Sequence, residues 1–289
     1  NSRLFFNHRF EKRGRSAFVM FKHSINGNDG ISNLYSDEID NLLATDTLIQ
    51  QSRLLTKTAS YGGKLRYTEP LGKKGGLMFD YNITKAKGTN DNKTFDLPSL
   101  LSSTYVLAPE FSSEFESDNL TSEYSVGYRF FSKKIFTFLR AKYQVTDLKT
   151  SSIYPQTAST ENLFQAFLPF AMMKYTLSKS KHAFLMYRSS VNNPSVNQLQ
   201  TYVDNSNPIQ LQMGNSELKQ SQENRIMARY ISSNTEKSTT FFVMGSYSFS
   251  NNYVSSTTDF YANDTVIRGV DLSSGTILNS YSNQKGYRN

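Results

Sequence analysis

The sequence predicts an all-β chain: an antiparallel up-and-down transmembrane β-barrel segment of about 10–11 strands that belongs to a larger barrel. Three observations predict it. Apolar and polar residues alternate with period 2 along runs that flank short, Lys-bearing turns near 11–15, 69–75, 131–134, 178–181 and 234–238. Long polar stretches near 28–50, 88–120, 148–161, 192–221 and 255–275 fall at the other end of each hairpin. Barrels that cross a membrane have this asymmetry, with short turns on one side and long loops on the other. The alternating runs are about 9–14 residues long, against about 9–11 for a membrane-crossing strand and about 5–6 in soluble domains.

The elements follow in order. Arg3–Phe10 is a first strand that runs into a short turn. Thr56–Tyr67 is a strand whose Gly62-Gly63 predicts a bend. In Gly76–Thr84, Leu77, Phe79, Tyr81 and Ile83 take one face, and Met78, Asp80, Asn82 and Thr84 the other. In Glu123–Phe130, Tyr124, Val126, Tyr128 and Phe130 oppose Glu123, Ser125, Gly127 and Arg129. After the next turn, Leu139, Ala141, Tyr143 and Val145 alternate with Arg140, Lys142 and Gln144. Asn162–Ser178 is apolar on both faces, and its Pro169 predicts a bulge or irregularity because proline removes a ladder donor. Across the 234–238 turn, Ile226, Ala228 and Tyr230 lead to Val243, Gly245 and Tyr247 on one face. Thr276–Asn289 begins an eleventh strand. Complete bacterial barrels have an even strand number, and an open edge in lipid costs several kcal/mol per unpaired group. Residues 1–289 are therefore expected to form a single partial barrel domain, with the remaining strands outside it.

Composition narrows the class. Only 37% of residues are hydrophobic and the mean hydropathy is −0.52, which suits a barrel in which alternate residues meet lipid. No run of apolar residues is long enough for a membrane-spanning helix. The 18 Tyr and 21 Phe supply what interfacial girdles need. With no cysteine, a disulfide scaffold and a Cys-based zinc site are excluded. The net charge of +8 comes from Lys and Arg scattered over turns, strands and loops, without the basic block that a nucleic-acid partner needs. Lipopolysaccharide phosphates or an anion-attracting lumen account for it better. The chain opens on Asn1-Ser2-Arg3 directly before strand-like sequence, so an export signal is expected upstream.

Catalytic patterns are not met. His8, His23 and His182 form no HExxH pair, and no Gly-x-Ser-x-Gly exists. Gly62-Gly63-Lys64 lacks the phosphate-loop spacing. Loop acids such as Asp37, Glu38, Glu114 and Glu116 read as solvated carboxylates, and Asn26-Gly27-Asn28-Asp29-Gly30 falls short of a calcium loop. No enzymatic activity, cofactor or metal is expected. Arg129, Arg140, Lys142, Arg188, Arg225 and Arg229 lie opposite the apolar residues. They read either as a basic lumen wall that contacts an anionic solute or a plug, or as the ordinary polarity of a lumen.

Motifs in the 192–221 stretch carry a resemblance. Pro194, Ser195, Gln198 and Leu199 form a PS-x-x-QL element; Asp204, Asn205, Asn207 and Pro208 lie in DNSNP; Gly214, Asn215, Leu218 and Lys219 form GN-x-x-LK. Together they resemble the C-terminal half of TonB-dependent receptor barrels, in the Bacteroidetes-type outer membrane protein beta-barrel branch. Tyr67–Gly75 is similar to a periplasmic turn of that branch. Ser216 departs from the family's Pro, and Gln220-Ser221 from its Pro-Glu. The resemblance implies a barrel of about 22 strands in the plugged-transporter size class. It also implies a plug domain and a TonB-type energy coupler, reached through an N-terminal region that this chain lacks. Membrane lipid and lipopolysaccharide would surround it, and a surface lipoprotein is a further partner it allows. The expected function is nutrient capture by long extracellular loops and TonB-coupled import across the bacterial outer membrane. A surface-binding barrel without transport, and a small self-closed barrel, are the alternatives.

Overall fold

The computed structural model describes residues 1–40, 44–97, 104–109, 112–154, 157–199, 203–204, 210–234, 236–267, 270–272 and 274–288. Its strands are β1 (Ser2–Arg9), β2 (Ser16–Asp40), β3 (Ala44–Leu71), β4 (Gly75–Asp96), β5 (Val106–Leu107), β6 (Ser113–Phe131), β7 (Ile135–Tyr154) and β8 (Ala158–Ser178). They continue with β9 (Lys181–Asn192), β10 (Val203–Asp204), β11 (Gln210–Met213), β12 (Ser221–Asn234), β13 (Thr239–Phe260), β14 (Thr265–Ile267), β15 (Val270–Leu272) and β16 (Ile277–Arg288). A single helical turn, α1, covers Val196–Leu199.

Among the described residues, one sheet takes in fourteen of the strands. β1, β2, β3, β4, β6, β7, β8, β9, β12, β13 and β16 follow one another as neighbours, each antiparallel to the next. This is the up-and-down order and the strand number that the alternation predicts. β11 joins the far side of β16 in parallel, and β10 pairs with β11.

The strands are much longer than expected: 25 residues in β2, 28 in β3, 22 in β4 and 20 in β7. Most of the stretches at 28–50, 88–120, 148–161 and 255–275 are paired strand, not loop. The reason is physical. Beyond the lipid both faces of a strand meet water, so alternation vanishes while the backbone ladder continues on Ser, Thr and Asn.

Register shows two faces. On one, Tyr81, Tyr124, Tyr143 and Phe167 follow one another across β4, β6, β7 and β8, and Leu65 pairs with Tyr81. Leu65, Tyr124, Tyr143 and Phe167 are exposed, as Val126 is at 49%. The Tyr81 and Tyr124 rings lie 5.0 Å apart. The opposite face carries Arg66, Asp80, Ser125 and Lys142 in one row.

Two local expectations resolve differently from the sequence reading. Gly62 and Gly63 keep unbroken register with β2 and β4, so the ladder carries no bulge there. Instead, Gly62 leaves room for the Lys22 side chain, which a Cβ there would strike. Pro169 likewise sits in continuous register with Ala141 of β7. On its other side, however, the ladder with β9 stops at Phe170, one residue away. Proline has no N–H to offer, and the irregularity takes the form of a strand that parts from its neighbour. The small buried core lies at this point: Leu148, Phe164, Leu199 and Leu218, with Val254 and Tyr281 against them.

Candidate functional site: the polar wall and the rim loop

The polar face divides into two walls. Across β3, β4, β6 and β7 its acids are paired within the sheet. Arg66 is paired with Asp80, which also accepts from Ser125 Oγ at 3.4 Å. Lys142 is paired with Glu123, and Asn82 Nδ2 donates to the other Glu123 oxygen at 3.0 Å. Each acid therefore has its own cation and a neutral donor, which keeps half-buried charges tolerable.

From the turn-side half of β7 across β8, β9, β12 and β13 the same face has another character. One row runs Arg140, Phe170, Arg188, Arg225, Ser248. The next runs Phe138, Met172, Met186, Met227, Ser246, and a third Phe136, Lys174, Phe184, Arg229, Met244. Arg, Phe and Met hold twelve of these fifteen places. Arg140 lies over the Phe170 ring at 5.4 Å and Arg229 over Phe184 at 5.3 Å. Arg188 stands directly opposite Arg225. Among the described residues, neither of these two, nor Arg229, has an ion-pair partner. The Nε atoms of Arg129 and Arg140 are buried without a hydrogen-bond partner.

The 192–221 stretch is built as a clasp. Ser195 N donates to Gln198 Oε1 at 2.9 Å, and Gln198 N to Ser195 Oγ at 3.3 Å. That reciprocal capping box starts α1 and points Leu199 into the core, where it is 1% exposed. Asn215 N donates to Gln198 O at 2.7 Å, and Asn215 Oδ1 accepts from Glu217 N at 2.9 Å. The turn this forms buries Leu218 beside Leu199. Asn215 Nδ2 donates to Tyr281 O, while Lys219 N and O both bond the Asn283 amide at 2.8 and 2.9 Å. Gln220 Nε2 bonds Gln165 O, and Gln222 Nε2 bonds Phe167 O at 3.1 Å. The clasp thus holds β8 on one side and β16 on the other.

At the short-turn end Glu69 is a hub. Lys12 Nζ reaches it at 2.6 Å, Arg15 Nε and Nη2 at 2.8 and 2.9 Å, and Tyr67 OH at 2.7 Å. The Arg15 hydrogen bond, followed by those of Lys12 and Tyr67, holds the Glu69 carboxyl down at about 2. At the long-hairpin end, Lys87, Asp118, Lys149 and Glu161 form one cross-strand row of alternating sign on the apolar face's side. Lys149 meets Glu161 at 2.8 Å, and Asp118 lies 3.3 Å from Lys85 and 3.7 Å from Lys87. That row marks where the strands leave an apolar surrounding.

The six basic residues read from the sequence all fall on the polar face, but the structure does not gather them into one site. Lys142 belongs to the self-paired wall, and Arg129 packs over Gly76. Arg140, Arg188, Arg225 and Arg229 share the Arg–Phe–Met wall. Of the loop motif, Ser195, Gln198, Leu199, Gly214, Asn215, Leu218 and Lys219 form the clasp, and Pro194 precedes it. Asn205, Asn207 and Pro208 lie outside the described residues, and Asp204 is placed by its backbone in β10. Sequence reading missed Glu69 as a hub and Gln220 and Gln222 as partners of β8. It also missed the methionine row, which period-2 alternation obscures because that wall is partly apolar. Among the described residues no group of His, Asp and Glu could hold a metal ion.

Among solved structures, the fold resembles that of Pseudomonas aeruginosa FpvA, determined with heterologous pyoverdines, at 13% identity and a TM-score of 0.53. The match covers 88% of this chain and 33% of that one, so this chain spans about a third of FpvA. The Serratia marcescens hemophore receptor HasR, solved with HasA and heme, matches at 9% identity and a TM-score of 0.43, over 97% of this chain and 56% of HasR. The Pseudomonas aeruginosa siderophore receptor PirA matches at 10% and 0.35, over 98% and 60%. No curated protein matches the sequence. The resemblance drawn from the sequence holds at the level of family and fold. Residues 8–286 match the outer membrane protein beta-barrel family, and the chain belongs to that family of the bacterial outer membrane.

Proposed function

We propose that the chain is the barrel portion of an outer-membrane receptor that captures a nutrient with its long hairpins and imports it with TonB-coupled energy. The observation that carries this reading is the pair of open sheet edges. Among the described residues, β1 has one neighbour, β2, and below its β11 contact β16 has one neighbour, β13. In lipid such edges need partners, and further strands would widen the barrel to the size class that holds an inserted plug. A lumen of that width needs an occupant to stop leakage and an energy source to move it. The plug, the coupler and any surface lipoprotein are the partners of this reading. Membrane lipid and lipopolysaccharide surround the apolar face. The basic lumen residues Arg129, Arg140, Lys142, Arg188, Arg225 and Arg229 face the occupant or its cargo, and the clasp residues around Ser195 and Asn215 shape the outer mouth. No catalytic role is assigned.

The experiment is a growth comparison in the native bacterium on defined media limiting in iron, heme or a complex glycan. A defect on loss of this protein that is reproduced by loss of the TonB-type coupler supports import. Surface binding that persists, with no coupler-dependent growth on any medium, makes the protein a surface-binding barrel instead.

A further inference from the structure

The apolar face changes its chemistry row by row towards the long-hairpin end. Leu4, Phe21, Gly63 and Ile83 form one cross-strand row. Ser2, His23, Tyr61, Lys85 and Leu120 form the next. Ile25, Ala59, Lys87, Asp118, Lys149 and Glu161 follow, and then Gly27, Lys57, Thr89, Glu116, Ser151 and Ser159. Hydrocarbon gives way to cations, and cations to a mixture of charges and hydroxyls.

Two depressions occupy these rows. The lower one, of about 620 Å³, has Gly63 in its floor and Leu4, Phe21, Ile83 and Leu120 around it, with His23, Tyr61 and Lys85 at its upper rim. The upper one, also about 620 Å³, is bounded by Lys87, Thr89, Asp118, Lys149, Ser159 and Glu161. They adjoin where Lys85 and Leu120 are followed by Lys87 and Asp118, the next residues of β4 and β6 on this face.

The backbone does not demand glycine at 63. The residue lies in unbroken register and is not among those with positive φ. A Cβ there would meet Ile83 Cγ2 at 3.5 Å, an ordinary contact. A glycine inside a strand weakens it and marks a place where a ligand can approach closely. At the junction of the two depressions positive charge is in excess. Lys85 and Lys87 share one carboxylate, Asp118, at 3.3 and 3.7 Å, and both lysine side chains are more than half exposed. The stacked His23 and Tyr61 rings, 4.7 Å apart, stand in the same row as Lys85.

We propose that these rows form one discrete site for a phosphorylated glycolipid of the outer leaflet, the lipopolysaccharide class. An acyl chain fills the depression over Gly63, a phosphate meets Lys85 and Lys87, and sugar hydroxyls meet Asp118, Glu161, Thr89 and Ser159 above. A phospholipid reaches the lysines but has no sugar for the upper depression. A free sugar phosphate leaves the apolar depression empty. Only an amphiphile with hydrocarbon, phosphate and sugar in that order matches all three zones. The site goes beyond a barrel merely surrounded by lipid, and it requires that the long hairpins face outward, not that the barrel imports anything.

The test is native mass spectrometry of the full-length protein released from detergent. The probes are phosphorylated lipid A, the same lipid A with its phosphates removed, and phosphatidylglycerol. The wild type should retain one phosphorylated lipid A in preference to the other two. Lys85→Glu with Lys87→Glu should lower that retention about tenfold or more, the loss of a charge-assisted contact, and should abolish the preference for the phosphorylated form. Gly63→Leu fills the lower depression and should lower retention of both lipid A forms. Lys181→Glu, on the same face at the short-turn end, should change nothing. Heat-resistant gel mobility checks that each variant is folded, and Lys85→Gln with Lys87→Gln replaces the charge reversal if that fails. Equal retention of phosphatidylglycerol overturns the glycolipid. An effect of the lysine changes without one of Gly63→Leu overturns the single occupant. No retained lipid, or an equal loss with Lys181→Glu, overturns the site.

Discussion

The backbone carbonyl of Phe167 accepts a hydrogen bond from the side chain of Gln222 at 3.1 Å, in the part of β8 that β9 no longer accompanies. Gln220 does the same for Gln165, two residues along. Two side-chain amides therefore stand in for a missing strand. Where the resembled family has Pro-Glu after its LK, this chain has Gln220-Ser221, and Gln220 has an amide to spend on β8.

Replacing Gln222 by Leu should leave the Phe167 carbonyl and Ser189 Oγ without this donor, which bonds both. The expected cost is about 1–3 kcal/mol for an unsatisfied, partly buried acceptor. Urea unfolding in lipid vesicles measures it. An unchanged midpoint would mean that water replaces the amide.

Leu199→Ala should cost about 2–5 kcal/mol, because it opens a cavity among Leu148, Phe164 and Leu218. The readout that separates clasp from barrel is limited proteolysis. Cleavage within 193–220 should accelerate while the β2–β7 hairpins stay intact. General loss of the barrel instead would show that the core supports more than the clasp.

Val126→Arg puts a charge on the apolar face and should cost about 2–4 kcal/mol if it lies at mid-bilayer. Ser125→Arg, beside Asp80 on the polar face, should be far milder. Equal shifts in vesicle unfolding would contradict the two faces.

Glu69 gives a pH dependence with a definite sign. Its carboxyl is held at about 2 against an ordinary 4.5, so the ionised form is favoured by folding. Its contribution is complete above about pH 4.5 and is lost as pH falls towards 2. Glu69→Gln should be less stable at neutral pH and should lose this part of the acid response. A carbon-13 titration of the Glu69 carboxyl with a midpoint near 4.5 would show that the hub does not form.

The sequence makes the strand order and both faces legible, because within the membrane each residue has one apolar and one polar choice. Tyr124, Val126 and Tyr128 declare this directly. Strand length is hidden, since runs such as Thr89-Asn90-Asp91-Asn92 are polar on both faces and carry no period. The clasp is half legible. Ser195 and Gln198 are a local capping pair three residues apart, whereas the Asn215–Tyr281 and Lys219–Asn283 bonds join positions 66 and 64 residues apart. The two walls are invisible to composition, because only register brings Arg188 to Arg225 and Met172 to Met186.

The parallel contact of β11 with β16 carries a temporal consequence. Each neighbour in the meander pairs antiparallel with the meander strand that precedes it in the chain, across a turn or one connecting segment. Leu211 waits for Leu278, and Asn215 for Tyr281. The clasp is thus fastened by β16, whose Tyr281 lies 66 residues further along the chain than Asn215, and it stays open until that strand has paired. An open clasp therefore marks a sheet whose β16 has not yet paired with β13 and β11.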